Sequence, residues 1–567
     1  MRLFISVCFF VCFFTLQAQQ VKLDNLNSNF DKKNILNING GLSATANYII
    51  GNQNSESNLF NYFFNGNLNI KIANLINLPF TFSLTNSGSN MAYPTLPNRF
   101  SLHPSYKWVT MHIGDISMNF SPYTLNGHQF TGIGVDFTPT GNFKGSVMYG
   151  RLQRKVEYAG LSTQSLATYQ RMGHGAKLRY DNKSFYIGSS YLYAHDDPNS
   201  LTWEPDSLNI LPQKNTAINW EFGIKPLKNL QLSGEYAISL LTRDTRAESR
   251  KNNFIDRILG LQTSTSNYDA YKFNLGYQVN KSNLGLGYER ISAGYKTLGT
   301  YYSNNDLENI TINISTILFK DRLNVSSSLG LEHNDLEDSN DRKTSRLVGS
   351  LNMTYNPTKK VNIVGTYSNF QTHSNAKSQF DYINQTSPTE NLDTLNFVQL
   401  SQNTTFSIMY QVEQSKTRMQ SLNLNINYQT ASDKQGAVVS QDNSTSMTNA
   451  ACTYNVQFIP QNLNLNTSFN VTNNQVGLNH TIMFGPSIST TARFFEKTIS
   501  TGISSSYNMS FKDGNLENSI FNARCNLGYV FAKKHNFMLS GMYLTRKTLI
   551  QLSKHTYNFT ATYSYNF

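Results

Sequence analysis

The chain has 567 residues and a formal net charge of +12, yet only 14% of its residues are charged, 39% are hydrophobic and 13% are aromatic. An ordinary soluble domain carries nearer a quarter charged residues, and 32 Tyr with 36 Phe argue against disorder. Beyond the first 16 residues no apolar stretch reaches the roughly 20 that a membrane-spanning helix needs, so a helical membrane protein is excluded as well.

The chain opens on MRLFISVCFFVCFFTLQAQQ, with a basic Arg2, an apolar run from Leu3 to Leu16 and a small Ala18. This pattern predicts a secretory signal peptide over residues 1–18, cleaved after Ala18, because the apolar run is too short to span a bilayer. Neither Cys8 nor Cys12 follows the small residues of a lipid-attachment site. Cleavage leaves about 549 residues (567 minus 18) and a charge of +11, since only Arg2 is lost. Cys452 and Cys525 remain, too few for a disulfide framework, and are expected to be unpaired packing residues. Residues 19–35 read as a short polar periplasmic leader.

From there on the sequence alternates. A first strand is expected near 37–50 and a second near 59–72. The stretch 98–127, with Pro104 and Pro122, is the least regular. In DAYKFNLGYQVN, Tyr271, Phe273, Leu275, Tyr277 and Val279 occupy every second position. In TRMQSLNLNINYQ, Leu422, Leu424, Ile426 and Tyr428 alternate with Asn423, Asn425, Asn427 and Gln429. QNLNLNTSFNVT repeats the pattern. The chain stops on HTYNFTATYSYNF, where Tyr557, Phe559, Ala561, Tyr563, Tyr565 and Phe567 alternate with small polar residues. Period two gives each strand one apolar and one polar face. One such strand would suit a soluble sandwich, but repetition along the whole chain does not.

Short turn sequences (138–142, 180–184, 225–229, 279–283, 319–322, 356–360, 459–462 and 532–536) alternate with long polar segments (195–213, 242–266 and 374–396). Short turns at one end and long loops at the other are the pattern of a bacterial outer-membrane barrel. Backbone groups in lipid must pair internally, so the sheet must close. Laying strands between the connectors predicts one all-β domain over 36–567. It is a single large closed antiparallel transmembrane β-barrel of about 26 strands (24–26), with both termini, the leader and the short turns in the periplasm.

The ending Tyr563-x-Tyr565-x-Phe567 resembles the carboxy-terminal signal that delivers barrels to the barrel-assembly machinery. The stretch LPFTFSLTNSGSNMAYPTLPNRFSLHPSYKWVTMHIGDISMNFSPYTLNGHQFTGIGVDF, with GSVMYGRLQRKVEY after it and DTLNFVQLSQNTTFSIMY at 393–410, resembles large outer-membrane barrels of Bacteroidota-type bacteria. That resemblance implies fold and bacterial outer-membrane location, and no activity, since the family has none agreed.

Chemistry is sparse. The ten histidines are scattered, with no HExxH or Cys/His array, so neither metal nor cofactor is expected. His195-Asp196-Asp197 reads as a solvated loop start. There is no GxSxG, and an enzyme is not expected. GVDFTPTGNFKG is read as glycine making room for neighbouring side chains or for sheet curvature, not as a phosphate cradle. Arg151, Arg154, Lys155, Arg171, Lys177 and Arg179 fall on two neighbouring strands and are candidate contacts for anions or lipopolysaccharide phosphates. Arg243, Arg246, Arg250, Lys251 and Arg257 crowd one external loop.

Two functions compete. The first is a porin-like channel or transport protein with a polar Asn/Ser/Thr lumen. The second is a non-enzymatic barrel subunit of a secretion, assembly or uptake complex, with its lumen plugged by loops or a partner, because barrels of 22 strands are usually plugged. The segments 242–266 and 374–396 are candidates to fold inward. A TonB-dependent transporter is disfavoured, because the first strand begins about 20 residues into the mature chain. The expected partners are outer-membrane lipid and lipopolysaccharide, the barrel-assembly machinery during biogenesis and, under the second reading, an envelope-complex protein. Nucleic acid is not among them.

Overall fold

The computed structural model describes residues 36–51, 60–73, 75–86, 98–157, 167–202, 210–250, 254, 256, 260–333, 336, 345–370, 372–374, 398–435, 438–548 and 553–567. The predicted signal peptide (1–18) and leader (19–35) and residues 375–397 lie outside them.

Twenty-eight strand segments pair antiparallel into one sheet. Two of them continue a neighbour. Arg99–Leu102 and Ser105–Tyr106 share the same two partner strands and are parted only by His103 and Pro104. A prolyl nitrogen cannot donate to the ladder, so the strand breaks there. Val361–Ser368 and Thr372–Ser374 both pair with Val398–Gln414. Counting each pair once leaves 26 strands (28 minus 2). The first strand, Leu36–Gly51, pairs with the last, Lys554–Asn566, from Gly41↔Asn566 to Gly51↔Thr556, and this closes the barrel.

Alternation in sequence becomes two sides of a wall. On the last strand Tyr557, Phe559 and Tyr563 are exposed, while Thr556 and Asn558 are buried. Ile310, Ile312 and Ile314 lie outward around a buried Asn309. The inner face knits itself together. Asn47 donates to Asn558 and Thr560 at 2.5 and 2.8 Å across the closing seam, and Thr45 meets Thr562 at 3.0 Å. An apolar outer belt around a polar interior is the surface of a membrane-spanning barrel, in which every backbone donor is paired without water. Cys452 and Cys525 are unpaired and exposed, on outward-facing positions.

The two ends differ. One end holds tight turns such as 228–229, 280–281 and 532–534; the other holds connections such as 197–213, 243–264 and 292–306. The turn residues predicted at 138–142, 319–322 and 459–462 fall in connections at the short-turn end.

Candidate functional site

Among the described residues, two connections at the long-loop end turn into the lumen. They are 118–128, between Val109–Ser117 and Gln129–Phe137, and 292–306, between Ser282–Ile291 and Leu307–Leu318. Sequence makes room for the first. The inner face of the neighbouring wall carries Gly134, Gly150, Gly173 and Gly175, so it is locally flat. A Cβ at Gly134 would lie 2.2 Å from Met118 Sδ, and one at Gly175 would lie 2.9 Å from a Phe120 ring carbon. Here glycine serves close approach, as the strand glycines of GVDFTPTGNFKG suggest. Met118, Phe120, Tyr123 and Leu125 join Leu152, Leu192, Ala194, Ala237 and Ala270 of the wall in a buried apolar cluster with Tyr295 and Leu298 of the second loop.

The two loops are tied to each other. Tyr295 donates its hydroxyl to the Tyr123 carbonyl and Thr297 donates to the Thr124 carbonyl, both at 2.7 Å. The Asn126 amide donates to the Gly299 carbonyl at 3.0 Å, within a short parallel bridge between Leu125 and Gly299. They are also tied to the wall. Tyr123 donates to Glu289 at 2.6 Å, Ser121 to Glu235 at 3.2 Å, and Lys177 to the Phe120 carbonyl at 2.5 Å. Ser239 donates to the Lys296 carbonyl at 2.6 Å. Burial, with the Glu289 carboxylate beside it, holds the Tyr123 phenol far above its ordinary range, so it stays a donor.

Beneath the loops runs a ladder of charge. Lys144, Arg179, Glu221, Glu235, Lys272 and Glu289 face inward along one line of cross-strand partners. Lys177 lies 3.4 Å from Glu221, Arg179 lies 3.3 Å from Asp181, and Lys272 lies 3.3 Å from Glu289. Cations and carboxylates balance, so this wall favours neither sign strongly. The opposite wall, strands Arg418–Gln435 to Ile499–Lys512, turns Ser421, Asn423, Asn425, Asn449, Asn466, Ser468, Ser489 and Ser504 inward.

The six basic residues singled out in sequence do not share a surface. Arg171, Lys177 and Arg179 face the lumen and are compensated, Arg171 by a bidentate pair with the buried Asp196 at 2.7 and 3.0 Å. Arg151 shares its face with the exposed Tyr149 and points outward. Lys155 pairs with Glu157 at 3.0 Å in the adjoining loop, and the Arg154 carbonyl accepts from Thr168. On the basic loop at the long-loop end, Arg246 pairs with Asp244. The described part of 243–264 folds on itself through a bridge between Ser249 and Gln262, with its Gly260 carbonyl taking Lys214. Of the two segments expected to fold inward, 374–396 lies outside the described residues beyond Ser374, and loop length is not what marks the two inward connections that are described. The inward loops are short, and their signal is apolar content, in YTLNG at 123–127 and YKTLG at 295–299.

His128, at the base of the first loop, is 1% exposed, stacks on Tyr301 at 4.4 Å, and donates from Nδ1 to the Gln129 carbonyl at 2.7 Å. Burial pushes its imidazole down to about 4. An opened loop returns that ring to about 6.5 and takes up a proton, so this packing is fully stable above about pH 6.5 and weakens as pH falls towards 4. The unfolding temperature of the heat-modifiable band should therefore drop between pH 7.5 and 5. In a His128→Gln variant that drop should shrink; an identical drop would locate the titration elsewhere.

No family model matches the chain, and no curated protein matches it. Among solved structures it is similar to the P pilus usher PapC translocation pore, with 9% identity, 94% of this chain and 99% of that one covered, and a TM-score of 0.39. It is similar to the ferric enterobactin receptor PfeA of Pseudomonas aeruginosa, with 10% identity, 94% and 80% coverage, and a TM-score of 0.41. For the anion-selective porin of Comamonas acidovorans the values are 12%, 53% and 89%, and 0.29. Likenesses of this size carry no argument about what the chain does. The fold rests on the strand register and the closed seam.

Proposed function

We propose that the chain is an outer-membrane channel or transport barrel for polar, largely uncharged solutes, with its long-loop end outside the cell and its short turns in the periplasm. The observation that carries this is the inward pair of loops, bound to each other and to a charge-balanced wall, opposite a wall of amides and hydroxyls. A water-filled lumen narrowed on one side, with compensated charges at the narrowing, passes neutral solutes and discriminates weakly between small ions. The inward loops also suit the second reading, a non-enzymatic subunit of an envelope complex whose lumen is filled by loops and a partner. Planar-bilayer recordings of the purified barrel, paired with a gentle-detergent pull-down, separate the two. Steady conductance with little cation or anion preference supports the channel, whereas silence together with a stoichiometric partner supports the subunit.

Two surface roles belong to the same reading. Arg151, outward near the long-loop end, is the member of the basic group that would contact lipopolysaccharide phosphates under this reading. Tyr563, Tyr565 and Phe567 serve as the barrel-assembly signal. Phe567→Ser leaves the backbone pairing of the last strand intact, so the expected result is a large loss of heat-modifiable protein from the outer-membrane fraction. Normal yield would sink the signal role.

A further inference from the structure

The hairpin that brings the interrupted strand 99–106 back as Val109–Ser117 sets two histidines, nine positions apart in sequence, against each other on the lumenal face near the short-turn end. His103 Nδ1 and His112 Nδ1 are 2.7 Å apart. The other ring nitrogen of His112, Nε2, lies 2.9 Å from the Asp136 carboxylate, and that carboxylate accepts from Ser146 at 2.5 Å. His103 is held in its turn. Its backbone amide donates to the Pro79 carbonyl, and the Pro104 carbonyl accepts from the Met111 amide, both at 2.8 Å. Pro104 is what breaks the strand at this point.

A carboxylate on one imidazole nitrogen fixes the tautomer: Nε2 of His112 carries the proton and its Nδ1 keeps a lone pair. That is the outer-shell arrangement of metal-binding histidines, in which the non-ligating N–H donates to a carboxylate and the ring becomes a better base. As the rings stand, that lone pair accepts the Nδ1–H of His103 at 2.7 Å. When His103 carries its proton on Nε2 instead, both Nδ1 lone pairs are free, and an ion at about 2.0–2.1 Å from each nitrogen replaces that proton as the rings part slightly. We propose that His103 and His112 form a two-imidazole site for a late transition-metal dication of the zinc, copper or nickel class, with Asp136 and Ser146 as its positioning residues. Imidazole selects that class over magnesium or calcium, which prefer oxygen ligands. Among the described residues no group of three or more His, Cys, Asp or Glu is arranged as a complete ligand set. Water from the lumen therefore completes the shell, and the ion sits at an exchangeable position at the mouth. This site is independent of the solute reading above.

The test is calorimetric titration of CuCl2 and ZnCl2 into the untagged, folded, full-length barrel in detergent, with Cu(II) electron paramagnetic resonance as a second readout. One site is expected, with nitrogen couplings in the resonance spectrum. It should be lost in His103→Asn and in His112→Asn, weakened about 10–100-fold in Asp136→Asn, and unchanged in His480→Asn. Heat-modifiability of each variant identifies any that fails to fold, and Asp136→Asn, which keeps shape and size, carries the test if a histidine variant does. Binding that survives either histidine substitution in a folded barrel overturns the proposal, as does wild-type affinity in Asp136→Asn.

Discussion

Arginine at Ile426 is expected to cost the barrel about 2–4 kcal/mol, whereas arginine at Asn425 should be nearly neutral. The two residues are neighbours in Arg418–Gln435, and the strand is paired along both edges. Propensity and backbone hydrogen bonding are therefore almost the same for both. What differs is the medium. Ile426 lies on the outer face with Leu422, and both are exposed to the bilayer. A guanidinium there sits in hydrocarbon with no partner, while at 425 it projects into the lumen among Asn423 and Asn427. Urea unfolding of the two variants in lipid vesicles measures the difference directly. Equal losses would mean that this strand does not lie at a lipid boundary.

The second large effect concerns the inward loops. Replacing residues 119–126 with a short Gly/Ser turn should raise single-channel conductance several-fold while leaving the strand ladder intact. The excised segment supplies Phe120, Tyr123 and Leu125 to the lumenal cluster and carries the carbonyls that receive Tyr295 and Thr297. Its removal thus frees the second loop as well. A gentler probe is Gly299→Ala. A Cβ there would stand 2.3 Å from Leu192 Cδ2 and 2.4 Å from the Thr124 backbone oxygen, so the bridge between the loops must part. That variant should show a smaller rise or frequent transitions between two conductance levels. Unchanged conductance in both variants would show that the loops do not narrow the path.

The parts of this architecture that depend on neighbours in sequence were legible; those that depend on neighbours around the barrel were not. Period two along LNLNINY is enough to predict which side chains of that strand face lipid, because successive side chains must alternate. Turn chemistry at FKDR and IPQN marks the tight end. The strand broken at His103-Pro104 lay in the stretch that read as least regular. Nothing local, however, brings Tyr123 to Glu289, which are 166 positions apart. Nor does spacing show that His103 and His112 face each other across a turn with Asp136 behind them. Charge was misleading for the same reason. Arg171, Lys177 and Arg179 look like a basic strand until the carboxylates of the next strands, Asp196 and Glu221, are set beside them.

The closing seam has a consequence for how this molecule comes to exist. Almost every strand pairs with the one made just before it, so most of the sheet grows hairpin by hairpin from local encounters. The exception is the seam, where Thr45 meets Thr562, 517 positions away. Until Lys554–Asn566 is available, the sheet has two bare edges, each a template for another chain. Loop-closure entropy is a minor obstacle, since each doubling of length adds only about 0.6 kcal/mol. Time is the larger hazard. Nearly all of the chain must be in place and held apart from its neighbours before one pairing event can seal it, so a growing barrel is most vulnerable to aggregation just before it is finished.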